Sequence, residues 1–217
     1  MNSVFDKHYK KYDAWYDKNK FVYLSEVEAI RKALPKQGVG LEIGVGTGRF
    51  ALALNIGIGI DPSKKMLKIA ETRGVNTRHG FGENLPFPEE MFDYVAIIVT
   101  LCFVSDPLKV LKEARRVLKP GGKIIVGIVD KESFLGRAYQ KKENIFYKNA
   151  RFFSVKDLTE LLKTAKFSNF SYHQTIFKNP KEIKSREIPK KGFGEGGFIV
   201  ISAKKTIGTR SYTNYKK

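Results

Sequence analysis

The chain has 217 residues, of which 42% are hydrophobic and 12% aromatic, enough for one domain with a real core. No apolar run approaches the roughly 20 residues of a membrane-spanning helix, and the start is polar and mixed in charge, so a cytoplasmic protein is expected. One cysteine and three histidines exclude a disulfide framework and a Cys/His zinc centre. The net charge of +18 invites a polyanion-binding reading. Between Leu41 and Leu101, however, acids slightly outnumber bases, so the excess lies on the flanks, where lysines also serve solvated helix faces.

In chain order, residues 5–20 carry Phe5, Tyr9, Tyr12, Trp15 and Tyr16 at spacings of a single helical face. Ser25 is a candidate cap for a second helix through Val27, Ile30 and Leu34, closed by Pro35 and Gly38. Residues 39–43 then form a short apolar run ending in glycines, with Phe50, Leu52 and Leu54 on the helix that follows. Residues 56–60 read as a second strand, with Asp61 at its carboxyl end and Pro62-Ser63 opening a helix through Met66, Leu67 and Ala70. Residues 75–79 are a weak third strand, and 92–99 an unbroken apolar run suited to a central one. Asp106-Pro107 starts a helix that Lys119-Pro120-Gly121-Gly122 ends before a fifth strand, 123–129. Ser154 caps a helix reaching about 165, after which 167–177 and 197–203 read as an antiparallel pair joined by a long exposed connection.

Alternation of strands and helices predicts an α/β fold, Rossmann-like and doubly wound. Its seven-stranded sheet should be mostly parallel, with a C-terminal antiparallel hairpin. The expected organisation is a single domain over 1–205, followed by a polar tail at 206–217. Within it come a helical lid (1–37), a cofactor-binding core (38–130), a substrate-side insertion (131–153), and a C-terminal helix and hairpin (154–205).

Glu42-Ile43-Gly44-Val45-Gly46-Thr47-Gly48 follows a strand and opens a helix. Glycines there let the backbone turn tightly and approach a ligand, with helix N–H groups facing it. Asp61, closing the next strand, is placed to accept the ribose hydroxyls of an adenosine lying across the sheet edge; its alternative role is to cap the helix after Pro62. A nicotinamide cofactor uses a similar loop, but a second nucleotide-binding half is missing from the pattern.

Four motifs in order resemble the class I S-adenosylmethionine-dependent methyltransferases, most closely the small-molecule branch that includes quinone-biosynthesis-like enzymes. They are Leu41 to Gly48, Gly59-Ile60-Asp61-Pro62-Ser63, Glu83-Asn84-Leu85-Pro86-Phe87 ahead of Phe92-Asp93, and Val117-Leu118-Lys119-Pro120-Gly121-Gly122. The resemblance implies that Gly44, Gly46 and Gly48 pass under the methionine part of S-adenosylmethionine, with Glu42 buried beneath them. It also implies that Asp61 holds the ribose, Pro62 and Met66 flank the adenine, Gly82 and Glu83 meet its edge, and Thr100 to Phe103 line the methyl end. Phe81 stands where the family commonly has an acid, and Cys102-Phe103 where the branch often carries histidine. Neither an Asn-Pro-Pro-Tyr-type motif nor a Pro-Cys pair is present there, which counts against DNA-base methylation.

Methyl transfer from a sulfonium is an in-line displacement that needs alignment first and a base only when the acceptor must lose a proton. No catalytic residue is assigned from sequence. His79, His173 and Cys102 read as structural residues, and no metal is expected. Acceptor contacts are expected from Tyr12 and Tyr16 on the first helix, from Phe103, and from Tyr139, Tyr147 and Arg151 in the insertion, where Arg151 suits a carboxylate. The leading expectation is a small-molecule acceptor; an RNA- or protein-directed enzyme using the basic flanks is the alternative.

Overall fold

A computed structural model describes residues 4–141, 145–148 and 150–206. From residue 207 onward, the expected polar tail lies outside them.

The chain opens with α1 (Val4–Lys18), kinked at His8, and α2 (Lys20–Ala33). Leu34 turns extended because the Pro35 ring disfavours helical geometry in the residue before it. Ser25 is not a cap: it sits inside α2, where its hydroxyl donates to the Phe21 carbonyl and accepts from the Glu187 N–H. Local propensity suggested a start signal, and tertiary contact decided otherwise.

Strands and helices then alternate through β1 (Gly40–Ile43), α3 (Arg49–Leu54), β2 (Ile58–Asp61), α4 (Lys64–Thr72) and β3 (Asn76–His79). They continue with β4 (Phe92–Ile98), α5 (Pro107–Val117), β5 (Leu118–Val129), α6 (Phe134–Lys141) and α7 (Val155–Thr164). The chain closes with β6 (Phe167–Thr175), β7 (Lys190–Lys191) and β8 (Phe198–Lys205). Caps fix several starts. Ser63 accepts from Met66 N, Asp106 from Lys109 N, and Ser154 with Asp157 forms a reciprocal capping box.

The sheet order is β3-β2-β1-β4-β5-β8-β6-β7. The first five strands are parallel, while β8 enters antiparallel between β5 and β6. The sheet has eight strands among the described residues rather than seven. The addition is β7, a two-residue edge pairing with His173 and Gln174 inside the expected loop. So short a strand has no periodicity to detect.

Alternation along β4 shows why both faces are covered. Val95 and Ile97 pack with Leu111 of α5 and Leu158 of α7, whereas Ala96 and Ile98 pack with Ile30 of α2 and Ala51 of α3. Strand order reverses between β1 and β4, so the crevice in which ligands bind such sheets opens where these two strands end.

Candidate active site

The glycine loop leaves β1 at that crevice. Gly44, Gly46 and Gly48 have φ of 74°, 53° and 79°, the left-handed region that glycine enters without strain. A Cβ at Gly44 would lie 2.3 Å from the Thr100 side chain, so β1 and the chain after β4 meet with no room for a larger residue. A Cβ at Gly46 would stand in looser surroundings, 3.6 Å from Met66 Sδ and 3.8 Å from a Tyr12 ring carbon.

Asp61 turns toward this loop. One carboxylate oxygen accepts the Gly46 N–H at 2.9 Å and the other the Ser63 N–H at 2.8 Å, so Asp61 braces the loop and the residue that caps α4, while the cap itself is Ser63. Burial pushes its carboxyl up to about 6, against the lowering effect of those two donors. Glu42 is buried under the loop, one of its oxygens has no hydrogen-bond partner, and burial together with the charge of Asp61 raises it well above the carboxylate range. Buried polar atoms are ordinarily paired, so a solitary one marks a place where a partner is missing.

The remaining expected cofactor residues divide. Pro62 is exposed beside buried Met66, and Thr100 Oγ1 donates to the Ile98 carbonyl at 2.9 Å. Gly82 is buried, with space for a Cβ closed off by Ile43 and Val110. Glu83 turns toward Ser105, whose N–H it accepts at 3.0 Å ahead of α5. Phe81 is 61% exposed on the same side.

α1 lies across the loop. Asp13 accepts from Thr47 Oγ1 at 2.6 Å, Arg49 Nη2 at 2.8 Å and Arg73 Nη1 at 2.8 Å, joining the helix to the loop and to the end of α4. Burial would raise this carboxyl, but the two guanidiniums outweigh it and hold Asp13 well below the usual range. Ser63 Oγ also donates to Asp6.

Beyond Tyr12 is a cavity of about 370 Å³. The expected acceptor residues Tyr12, Tyr16, Phe103, Tyr139 and Tyr147 all line it. Arg151 does not: it is exposed, with its guanidinium 5.1 Å from the Phe153 ring centre, because the backbone there is tied to the Cys102 carbonyl. The anticipated carboxylate partner is therefore absent from the lining. Tyr139 and Tyr147 stack at 5.0 Å, and Tyr12 and Tyr16 share a 2.8 Å hydroxyl hydrogen bond. Val99, at the end of β4, also lines the cavity and holds φ of 50°, a costly conformation for a β-branched residue that clusters at functional sites.

Sequence reasoning missed Glu26 as a lining residue, while Trp15, from the aromatic face of the first helix, lines the cavity as well. Glu26 had a signal, since Val22, Glu26, Ala29 and Ala33 follow helical spacing and all are buried, placing a carboxylate in an apolar stripe. Burial pushes the Cys102 thiol up to about 12, which disfavours the thiolate. His79 bonds the Pro62 carbonyl, and His173 lies on β6. Among the described residues no cluster of ligating side chains suits a metal ion, and no helix is long and apolar enough to cross a membrane.

The methyltransferase-domain family model matches residues 41–126. An uncharacterised protein of Methanocaldococcus jannaschii is 51% identical over 205 residues, spanning 94% of this chain and 99% of that one. A crystal structure from Thermotoga maritima, named a SAM-dependent methyltransferase and possible histamine N-methyltransferase, is 50% identical with a TM-score of 0.93. It is matched over 95% of this chain and 100% of that one. The demethylmenaquinone methyltransferase of Geobacillus kaustophilus is 30% identical over 167 residues, 73% of this chain and 67% of that one. With the methyltransferase-domain model over 41–126 and a SAM-dependent methyltransferase 50% identical along its whole length, the chain belongs to the class I S-adenosylmethionine-dependent methyltransferases.

Proposed function

We propose that the enzyme transfers the methyl group of S-adenosylmethionine to a small molecule seated in the aromatic cavity under α1. The observation that carries this reading is the cavity itself: about 370 Å³, walled by α1 and by Tyr139, Ile145, Phe146 and Tyr147, and beginning beside the residues where β4 ends. A volume of that order suits a metabolite.

The chain's residues fit the cofactor. Gly44, Gly46 and Gly48 form a backbone cradle, and Asp61 uses one lone pair on each oxygen for Gly46 and Ser63, leaving about two for ribose hydroxyls. Glu42 supplies a buried carboxyl oxygen that still lacks a partner. Met66 and Pro62 flank the adenine, and Phe81 offers it an apolar edge. Gly82 meets that edge through its backbone, while Glu83 acts on it indirectly, by holding Ser105. Thr100 stands between the loop and the cavity. When bound, the cofactor supplies a methyl carbon made electrophilic by the neighbouring sulfonium; the protein aligns the acceptor and excludes water. The relative from Thermotoga maritima is named a possible histamine N-methyltransferase, and an acceptor of that size is in keeping with a cavity of this volume.

Calorimetric titration with S-adenosylhomocysteine tests the site. Binding is expected in the wild type, weakening as pH falls through about 6, because the ribose donors favour the ionised Asp61 carboxylate. Asp61→Ala is expected to lower affinity at least tenfold. Unchanged affinity in that variant would overturn the assignment.

A further inference from the structure

Glu26 is 5% exposed and lines the cavity, and its carboxyl group has no hydrogen bond or ion pair among the described residues. The walls around it are rings: Trp15 and Tyr16 from α1, Tyr139 from α6, and Phe103 and Tyr147, which stack at 6.4 Å. A carboxylate with no cation, set among aromatic faces, has the composition of a site for an ammonium ion. The faces carry the negative end of the ring quadrupole, and the carboxylate supplies the full countercharge. With a neutral or anionic guest Glu26 stays the protonated acid that burial favours, whereas an ammonium guest lets it ionise.

We propose that the methyl acceptor is a ring-bearing primary or secondary amine that enters as its ammonium ion, and that Glu26 holds the nitrogen and takes its proton. This rests on the reading of the cavity as the acceptor site. The carboxylate accepts one proton from the ammonium, giving a neutral amine and a carboxylic acid. The nitrogen lone pair then forms the N–C bond to the methyl carbon as the C–S bond breaks, with the bonding pair remaining on sulfur as a thioether. The product is an N-methylammonium ion, and the proton on Glu26 passes to water. Charge balances: two cations enter, and one cation and one proton leave.

The groups facing Glu26 suit this task. Tyr16, Tyr139 and Tyr147 face it from the cavity walls and Tyr23 from its own helix, all phenols held protonated by burial, while the lining cation, Lys11, is exposed. Burial pushes the Glu26 carboxyl up to about 8, so near neutral pH it exchanges a proton with a bound ammonium at little cost.

Binding and methylation of 2-phenylethylamine and 2-(indol-3-yl)ethylamine, against the ring-matched alcohols, in wild type, Glu26→Gln and Glu26→Asp, test the proposal. In wild type saturated with S-adenosylhomocysteine, amines are expected to bind at least tenfold more tightly than alcohols. Glu26→Gln is expected to lose that preference and its N-methylation, with S-adenosylhomocysteine affinity within twofold, while Glu26→Asp restores part of both. Equal binding of amine and alcohol, binding of no amine, or undiminished N-methylation by Glu26→Gln would overturn it. So would a loss confined to S-adenosylmethionine against S-adenosylhomocysteine, which would make Glu26 a partner of the sulfonium. Transfer from labelled cofactor only to neutral metabolites in an extract would sink the amine and leave the small-molecule reading standing; transfer only to macromolecules would sink both.

Discussion

Replacing Glu26 by glutamine is expected to stabilise the cofactor-free protein, increasingly so with pH. The carboxyl is lifted by burial from an ordinary 4.5 to about 8. The folded chain thus holds this proton more tightly than the unfolded chain does. Its contribution to stability is fully present below pH 4.5 and declines as pH rises to about 8. At about 1.4 kcal/mol per tenfold, ionising Glu26 costs the folded state roughly 5 kcal/mol by about pH 9, an upper bound because cavity water solvates the charge. Glutamine keeps the shape and cannot ionise. The stability difference, Glu26→Gln minus wild type, is therefore expected near zero at about pH 4.5, rising by several kcal/mol to about pH 9. Urea unfolding at a series of pH values measures it, since the difference cancels groups common to both proteins. A flat difference, or a wild type that gains on the variant as pH rises, would refute the burial argument. Adding a tightly bound amine should reverse the trend, because a cation compensates the charge.

Two further perturbations address the loop and the helix tied across it. Asp13→Asn takes the carboxylate from Arg73 and leaves Arg49 with Asp17 alone, so a loss of about 2–3 kcal/mol is expected, with faster hydrogen exchange in α1 than in the sheet; equal protection in α1 would show that the helix is held by its aromatic contacts instead. Gly44→Ala combines a left-handed backbone with a Cβ 2.3 Å from Thr100, an expected cost of about 2–4 kcal/mol by thermal unfolding. Gly57→Ala, with nothing within 4 Å of the added carbon, is expected to stay within about 0.5 kcal/mol; comparable losses at both glycines would remove the steric reading of the loop.

The core of the sheet was legible because its signals are local. Residues 92–98 are unbroken apolar chain, as a strand covered on both faces must be, and Ser154 with Asp157 announces α7 by hydrogen bonds three residues apart. The loop after β1 and Asp61 after β2 were equally readable, since parallel strands deliver their carboxyl ends to one edge whatever the packing between them. Ser25 and β7 were misread or unseen, because their bonds run to residues far away in sequence.

Sequence by itself determined the element order, the parallel core, the glycine cradle and its carboxylate, because each follows from spacing along one stretch of chain. Only the tertiary structure decided what the aromatic residues enclose, that Arg151 is outside and Glu26 inside, and that Asp13 ties α1 to Arg49 and Arg73. Periodicity says which face of a helix is covered. What covers it, and whether a gap remains there, depends on where segments distant in the chain come to rest.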